Sequence, residues 1–166
     1  MNTMPLPDPA ILDRVRVVLS HPSHPGNIGA AARAMKTMGL SRLILVNPKV
    51  FPDAQADAMA AGATDVLVQA EVVSSLAEAL SGTVLAMAMT ARRRELAVPA
   101  LWARDGAAEL VAQAAGGDVA LVFGNETSGL SNDELGLCRR WAMIPVSGEF
   151  SSLNLAAAVQ VMCYEL

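Results

Sequence analysis

The sequence predicts an α/β domain built on a mainly parallel sheet flanked by helices. Short apolar runs rich in β-branched residues alternate with helical patterns along the chain, as repeated strand–crossover–strand units do. Two runs, Leu43–Val46 and Val119–Phe123, are apolar almost without a break, which is how central strands covered on both faces read. The 166 residues are 53% hydrophobic and 17% charged, a composition that fills a core and excludes a disordered chain. The length is that of one domain, residues 1–166.

Strands are expected at Val15–Leu19, Leu43–Val46, Val66–Val68, Val84–Met87, Val119–Phe123 and Ala142–Pro145, where β-branched and apolar residues cluster. Helices are expected at Asn27–Met38, Ala54–Ala61, Ser75–Ser81, Ala100–Ala115, Asn132–Arg139 and Ser152–Glu165. Pro25-Gly26-Asn27 reads as a turn with Asn27 as N-cap, and Gly39 stops that helix. Ser131-Asn132-Asp133-Glu134 reads as a cap with an acidic first turn. Ser151 or Ser152 is the expected cap of the last helix. That helix is apolar on most faces, with Gln160 almost its only polar residue, so it belongs in the core or in a subunit interface. The chain ends inside it, at Glu165-Leu166, from which a missing C-terminal extension is expected.

Composition also excludes. No apolar run approaches the roughly 20 residues that span a bilayer, and Met1 to Pro9 has neither the basic nor the apolar region of a signal peptide. Cys138 and Cys163 form no CxxC and read as free thiols of a cytoplasmic protein. His21 and His24 lack a third ligand nearby and read as loop histidines, so no metal site is expected. Phosphate-loop, GxGxxG and GxSxG patterns are missing, which removes support for nucleotide and serine hydrolysis. A net charge of −4 and a pI near 5.1 argue against a strongly basic nucleic-acid binder. Basic residues are nonetheless clustered, at Arg92-Arg93-Arg94, Arg139-Arg140 and Arg33 with Lys36. RNA contact would then be local, or would involve a second subunit or a missing segment.

Four segments could carry chemistry. Asn27-Ile28-Gly29-Ala30-Ala31-Ala32-Arg33 opens a helix whose unpaired N–H groups suit an anion; taken alone, it is a capped helix with a surface arginine. Thr90-Ala91-Arg92 follows the fourth strand, and ligands of open α/β sheets bind beyond the carboxyl ends of strands. Phe123-Gly124-Asn125-Glu126-Thr127-Ser128-Gly129-Leu130 leaves a strand for a glycine-bracketed loop. There Gly124 would admit a ligand close to the backbone, and Glu126 would accept hydrogen bonds. Ile144-Pro145-Val146 and Ser151-Ser152-Leu153-Asn154-Leu155 place an asparagine at the start of an apolar helix, where a buried amide needs partners.

Together these segments resemble the SpoU (TrmH) branch of the SPOUT methyltransferases. The three motifs stand in order: Asn27-x-Gly29-x3-Arg33, Phe123-Gly124-x-Glu126-x2-Gly129-Leu130, and Ile144-Pro145 with Ser152-Leu153-Asn154. Ser23-His24-Pro25-Gly26-Asn27 and Arg33-Ala34-Met35-Lys36-Thr37-Met38-Gly39-Leu40 are most similar to the members that methylate tRNA ribose at the 5′ side of the anticodon loop. The likeness runs from Val15 to Glu165.

The resemblance implies a C-terminal trefoil (α/β) knot, one of the rare exceptions to unknotted topology. It implies a cytoplasmic homodimer using S-adenosyl-L-methionine, with S-adenosyl-L-homocysteine as product and no metal. The substrate would be tRNA, with cytidine or uridine at nucleotide 32 as the methylated site; membranes and DNA are not expected partners. The donor would be held by Met89, Thr90, Ala91, Gly124, Ile144, Ser152, Leu153 and Asn154. Arg33, Asn27, Glu126 and Asn154 map to the family's catalytic or RNA-contacting positions. A free guanidinium is a poor base, with a pKa above ~12, so Arg33 is expected to orient and to stabilise charge. Two features depart from the pattern: Asn125 stands where a basic residue is frequent, and the C-terminal extension is lacking. Three alternatives remain open at this point. They are a SpoU enzyme of another tRNA site or of rRNA, a non-catalytic RNA-binding protein of the same fold, and a flavodoxin-like ligand-binding domain.

Overall fold

In the computed structural model, residues 8–90, 100–147 and 153–166 are described. A short helix α1 (Pro9–Leu12) precedes β1 (Val15–Ser20), α2 (Pro25–Thr37), β2 (Arg42–Val46) and α3 (Ala54–Ala60). A 3-10 turn, Ala61–Ala63, leads into α4 (Thr64–Gln69), β3 (Glu71–Val73), α5 (Leu76–Leu80) and β4 (Leu85–Met89). Then come β5 (Leu101–Trp102), α6 (Ala103–Ala114), β6 (Val119–Phe123), α7 (Asn132–Leu137), β7 (Arg140–Met143) and α8 (Leu155–Glu165).

The strands form one sheet in the order β3-β2-β1-β6-β4-β7-β5, and every pair is parallel. The expected fold class is therefore the observed one. Alternate side chains of each strand fill two cores. Val15, Val17 and Leu19 of β1 join Leu43, Leu121 and Met87 beneath α2, α6 and α8, while Val18 joins Ile44, Ala120 and Val122 beneath α5 and α7. The chain builds outward from β1 to β3, then returns on the other side, where β6 inserts between β1 and β4. Such a switch opens a crevice at the carboxyl ends of the strands.

The opposite end of the sheet is closed by charge. Asp118 accepts from Arg16 at 2.9 Å and Arg42 at 2.8 Å, and Arg14 reaches the last carbonyls of α6 at Ala114 and Ala115. The two guanidinium groups hold the Asp118 carboxyl below its ordinary value, Arg42 foremost.

Several expected boundaries moved for identifiable reasons. Val66–Val68 is helical, within α4. Val66 and Leu67 are buried while Val68 is 84% exposed, so packing overrides the strand preference of valine. The strand there is β3, an edge strand that starts at Glu71. Val84–Met87 shifts to Leu85–Met89. Ala142–Pro145 shifts to Arg140–Met143, ending before Pro145, which has no N–H for a ladder. Leu101 and Trp102 pair with β7, so α6 starts at Ala103 rather than Ala100. Gly39 does end α2, with φ +84°.

Two glycines answer to packing. A Cβ on Gly29 would lie 2.0 Å from the Ala56 carbonyl oxygen, because α2 and α3 touch backbone to backbone there. Gly29→Ala is expected to destabilise the fold by about 3 kcal/mol, at the high end for overpacking, since backbone cannot swing aside; a thermal midpoint equal to wild type would contradict this packing. A Cβ on Gly106 would press on the Met87 sulfur at 2.8 Å, a softer obstacle.

Helix α8 packs on α2 and α6, burying Leu155, Val159, Met162 and Cys163. Its other side carries Tyr164, 71% exposed. The segments 91–99 and 148–152, which join β4 to β5 and β7 to α8, lie outside the described residues, and so do Ala91, Ser151 and Ser152.

Candidate active site

The carboxyl ends of β1, β6, β4 and β7 lie side by side, and three of the four segments singled out in the sequence start there. The first and third meet through Glu126. Its carboxylate accepts from the Ser23 N–H at 2.9 Å, the Ser23 hydroxyl at 3.1 Å, the His24 N–H at 2.9 Å and the Asn27 Nδ2 at 3.1 Å. Partial burial pushes this carboxyl up, but the Ser23, Asn27 and His24 hydrogen bonds prevail and hold it below 4.5, its ordinary value. Glu126 is thus an ionised anchor with its oxygens occupied, ill-suited to proton shuttling. Asn27 is correspondingly not the N-cap expected of it. The cap is His24, which makes no side-chain cap bond; Pro25 occupies the first turn, and Asn27 points its amide at Glu126.

The neighbouring residue works in parallel. Asn125 donates from Nδ2 to the His21 carbonyl at 2.9 Å and accepts at Oδ1 from the Thr127 N–H at 2.9 Å and the Ser128 N–H at 3.1 Å. That last pair is an Asx-type turn. The loop closes through the Gly129 N–H on the Asn125 carbonyl, with Gly129 at φ +67°. A Cβ on Gly124 would fall 2.3 Å from the Gly129 carbonyl carbon, so Gly124 makes a close backbone approach to its own loop. One residue further back, His21 adopts φ +53°, a left-handed conformation that costs a non-glycine residue about 1 kcal/mol or more. It is held by its N–H on the Val46 carbonyl and its carbonyl under Asn125.

A second carboxylate braces the same end from the other face. Ser20, a buried polar residue at the end of β1, donates to Glu134, which also completes the capping box with Ser131 at the start of α7. The cap expected at Ser131 is therefore present.

Beyond these loops, the β4 and β7 ends form a row. The Thr90 N–H bonds the Ala142 carbonyl at 3.0 Å, and Met89 pairs with Ala142. Met89 and Thr90 are thereby beside β7, whose next residue beyond Met143 is Ile144, and Gly124 leaves the adjacent β6. Asn154 is exposed, not buried, and is itself the N-cap of α8, accepting from the Ala156 N–H at 2.9 Å and the Ala157 N–H at 3.4 Å. The serine cap expected there is thus displaced by Asn154, because an amide oxygen two residues before the helix N–H groups meets them directly. Leu153 is 40% exposed.

Arg33 sits on the outer face of α2. Among the described residues its guanidinium has no hydrogen-bond or ion-pair partner, whereas Arg16, Lys36, Arg42 and Arg140 are all in ion pairs. It bonds neither Glu126 nor Asn154. Burial pushes the Cys138 and Cys163 thiols up to about 12, so neither is a nucleophile at neutral pH.

Of the residues singled out in the sequence, the fold gathers Asn27, Glu126, Met89, Thr90, Gly124 and Ile144 at one end of the sheet. Sequence reasoning gave no site role to Ser20, Ser23, His21 or Glu134. The only sequence signal for them was position, immediately after β1 and inside the α7 cap. It noted Asn125 merely as a departure.

A parallel sheet with the motif loops at the carboxyl ends of its strands, where its order reverses, defines an open α/β domain. The model of the SpoU rRNA Methylase family matches residues 14–164. A relative from Pseudomonas aeruginosa, the tRNA (cytidine/uridine/adenosine-2′-O-)-methyltransferase TrmJ, is 54% identical over 157 residues, covering 94% of this chain and 61% of its own length. This chain thus spans under two-thirds of that relative. The crystal structure of a probable methyltransferase from Bordetella pertussis superimposes with a TM-score of 0.89 at 41% identity, over 95% of this chain and 96% of that one. The SpoU methyltransferase AviRb from Streptomyces viridochromogenes, in complex with the cofactor AdoMet, aligns at TM-score 0.71 and 26% identity, over 90% of this chain and 57% of its own. The chain belongs to the SpoU methylase family.

Proposed function

We propose that this chain is the catalytic domain of an S-adenosylmethionine-dependent RNA 2′-O-methyltransferase acting on tRNA, at the cytidine or uridine of nucleotide 32. The observation that carries the reading is the lock of Glu126 onto Ser23, His24 and Asn27, which fixes the first motif against the second beside the row of strand ends. The residues of that row fit the donor. Met89, Thr90, Phe123, Gly124, Met143 and Ile144 carry no charge to repel a sulfonium. The peptide groups of Gly124 and Ile144 lie beyond the last paired residues of the sheet, where adenine and amino-acid groups seek hydrogen bonds. Ala91, Ser152 and Leu153 complete this cradle in the proposal.

Bound S-adenosylmethionine would supply an electrophilic methyl group to a ribose 2′-hydroxyl, whose proton passes to water as S-adenosylhomocysteine leaves. The chain supplies position and charge. Arg33, whose guanidinium is unpaired among the described residues, grips an RNA phosphate and stabilises charge on the 2′-oxygen. Glu126 acts through Asn27 and the β1–α2 turn, setting the start of the helix that carries Arg33. Asn154 fixes the start of α8, which lies on α2. No residue is assigned a metal. The open side of α8, with Tyr164, suits a second copy in a cytoplasmic homodimer, and the chain is proposed to thread a C-terminal knot.

The description of the matching family names rRNA, which favours ribosomal RNA as a second reading; the 54%-identical relative favours tRNA. Calorimetric titration with S-adenosylhomocysteine tests the donor. Micromolar binding, with none for flavin mononucleotide, is the expected result, and no binding overturns the proposal. Transfer to bulk tRNA but not to tRNA with a 2′-deoxy nucleotide 32 fixes the site.

A further inference from the structure

The two loops of the site are joined by a pair of adjacent side chains, and only one of the two belongs to the motifs. Glu126 reaches the far half of the β1–α2 turn, at Ser23, His24 and Asn27. Asn125 reaches its near half, at the His21 carbonyl. The turn is thus held at both ends from one rigid loop. That loop has no slack: Asn125 closes it through its own carbonyl and Oδ1, and Gly124 meets Gly129 and Leu130 backbone to backbone. His21, in its left-handed conformation, presents the carbonyl that Asn125 holds.

We propose that Asn125 is a positioning residue for methyl transfer: its amide nitrogen, on the His21 carbonyl, fixes the β1–α2 turn and so the setting of the helix that carries Arg33. The inference rests on the methyltransferase reading above. It gives Asn125 an inward task, in place of an RNA contact by a basic residue. Glu126 holds the far half of the turn through four hydrogen-bond donors, whereas the near half is tied to the loop by the Asn125 bond. Loss of the Asn125 bond therefore frees the near half of the turn that leads into the helix carrying Arg33, without touching the row of strand ends.

Asn125→Asp isolates this bond. The carboxylate keeps the acceptor for Thr127 and Ser128 but has no hydrogen to give His21. Asn125→Ala removes both functions and serves as the comparison. Wild type must first transfer methyl to tRNA; if it does not, the methyltransferase reading fails and the proposal for Asn125 falls with it. Given a working wild type, N125D is expected to lower kcat at least tenfold. Its KM for tRNA and its Kd for S-adenosylhomocysteine should stay within about threefold of wild type. Amide hydrogen exchange in residues 21–27 should accelerate in N125D while β4 and β6 remain protected. A wild-type kcat in N125D overturns the proposal. So does a fall in donor affinity matching the fall in kcat, since that marks collapse of the whole site rather than misplacement of one turn.

Discussion

Arg33→Ala is expected to lower methyl transfer by on the order of a hundredfold to a thousandfold, the loss seen when one charge-stabilising donor leaves an active site. The fold should be unaffected, because the guanidinium is exposed and bonds nothing among the described residues. Binding of S-adenosylhomocysteine should also be retained, because the proposed donor row lies on β4, β6 and β7 whereas Arg33 lies on α2. Arg33→Lys keeps the charge but loses the planar fork, so a partial loss is expected. Full activity in the lysine variant would show that a point charge suffices and would end the orienting role given to the guanidinium. Thermal melting, donor titration and single-turnover transfer on the same preparations separate these outcomes.

Glu126→Gln is expected to cost stability and activity together. The carboxylate satisfies two backbone N–H groups, a hydroxyl and an amide, and a glutamine of the same shape turns one acceptor into a donor facing them. Hydrogen bonds to a charged acceptor contribute about 1.5–3 kcal/mol each when buried. With the site only partly buried, a total loss of about 3 kcal/mol is expected. The pH dependence follows from the direction of the shift. The folded-state carboxyl lies below 4.5, so its contribution is complete above that value and is lost as pH falls through the lowered folded value. Wild-type stability should fall on that acid limb, while the part of the fall owed to Glu126 should be missing from Glu126→Gln. Equal acid sensitivity in the two proteins would contradict the anchoring role.

These two residues show what a sequence carries and what it does not. The fold was legible because burial on both faces leaves an unmistakable run such as Val119–Phe123, and because Gly39 and Ser131 punctuate helices by local chemistry. Val66–Val68 misled because three branched or apolar residues look alike on a strand and on one face of a short helix; only the packing of Val66 and Leu67 decides. In the site, Arg33 and Glu126 were visible as motif residues, but their unlike settings were not. Among the described residues one is unpaired and the other fully engaged, a distinction that depends on which loop faces which. The same applies to Asn154, whose amide caps its own helix, and to Asn125, whose partner lies 104 positions away in the chain.

Methyl transfer to ribose at this sheet end is tested by incubating the wild-type chain with methyl-labelled S-adenosylmethionine and bulk tRNA, followed by digestion to nucleosides. Label in a 2′-O-methylated pyrimidine nucleoside is the predicted result. Label in a base, or no label with either tRNA or rRNA despite donor binding, would contradict it.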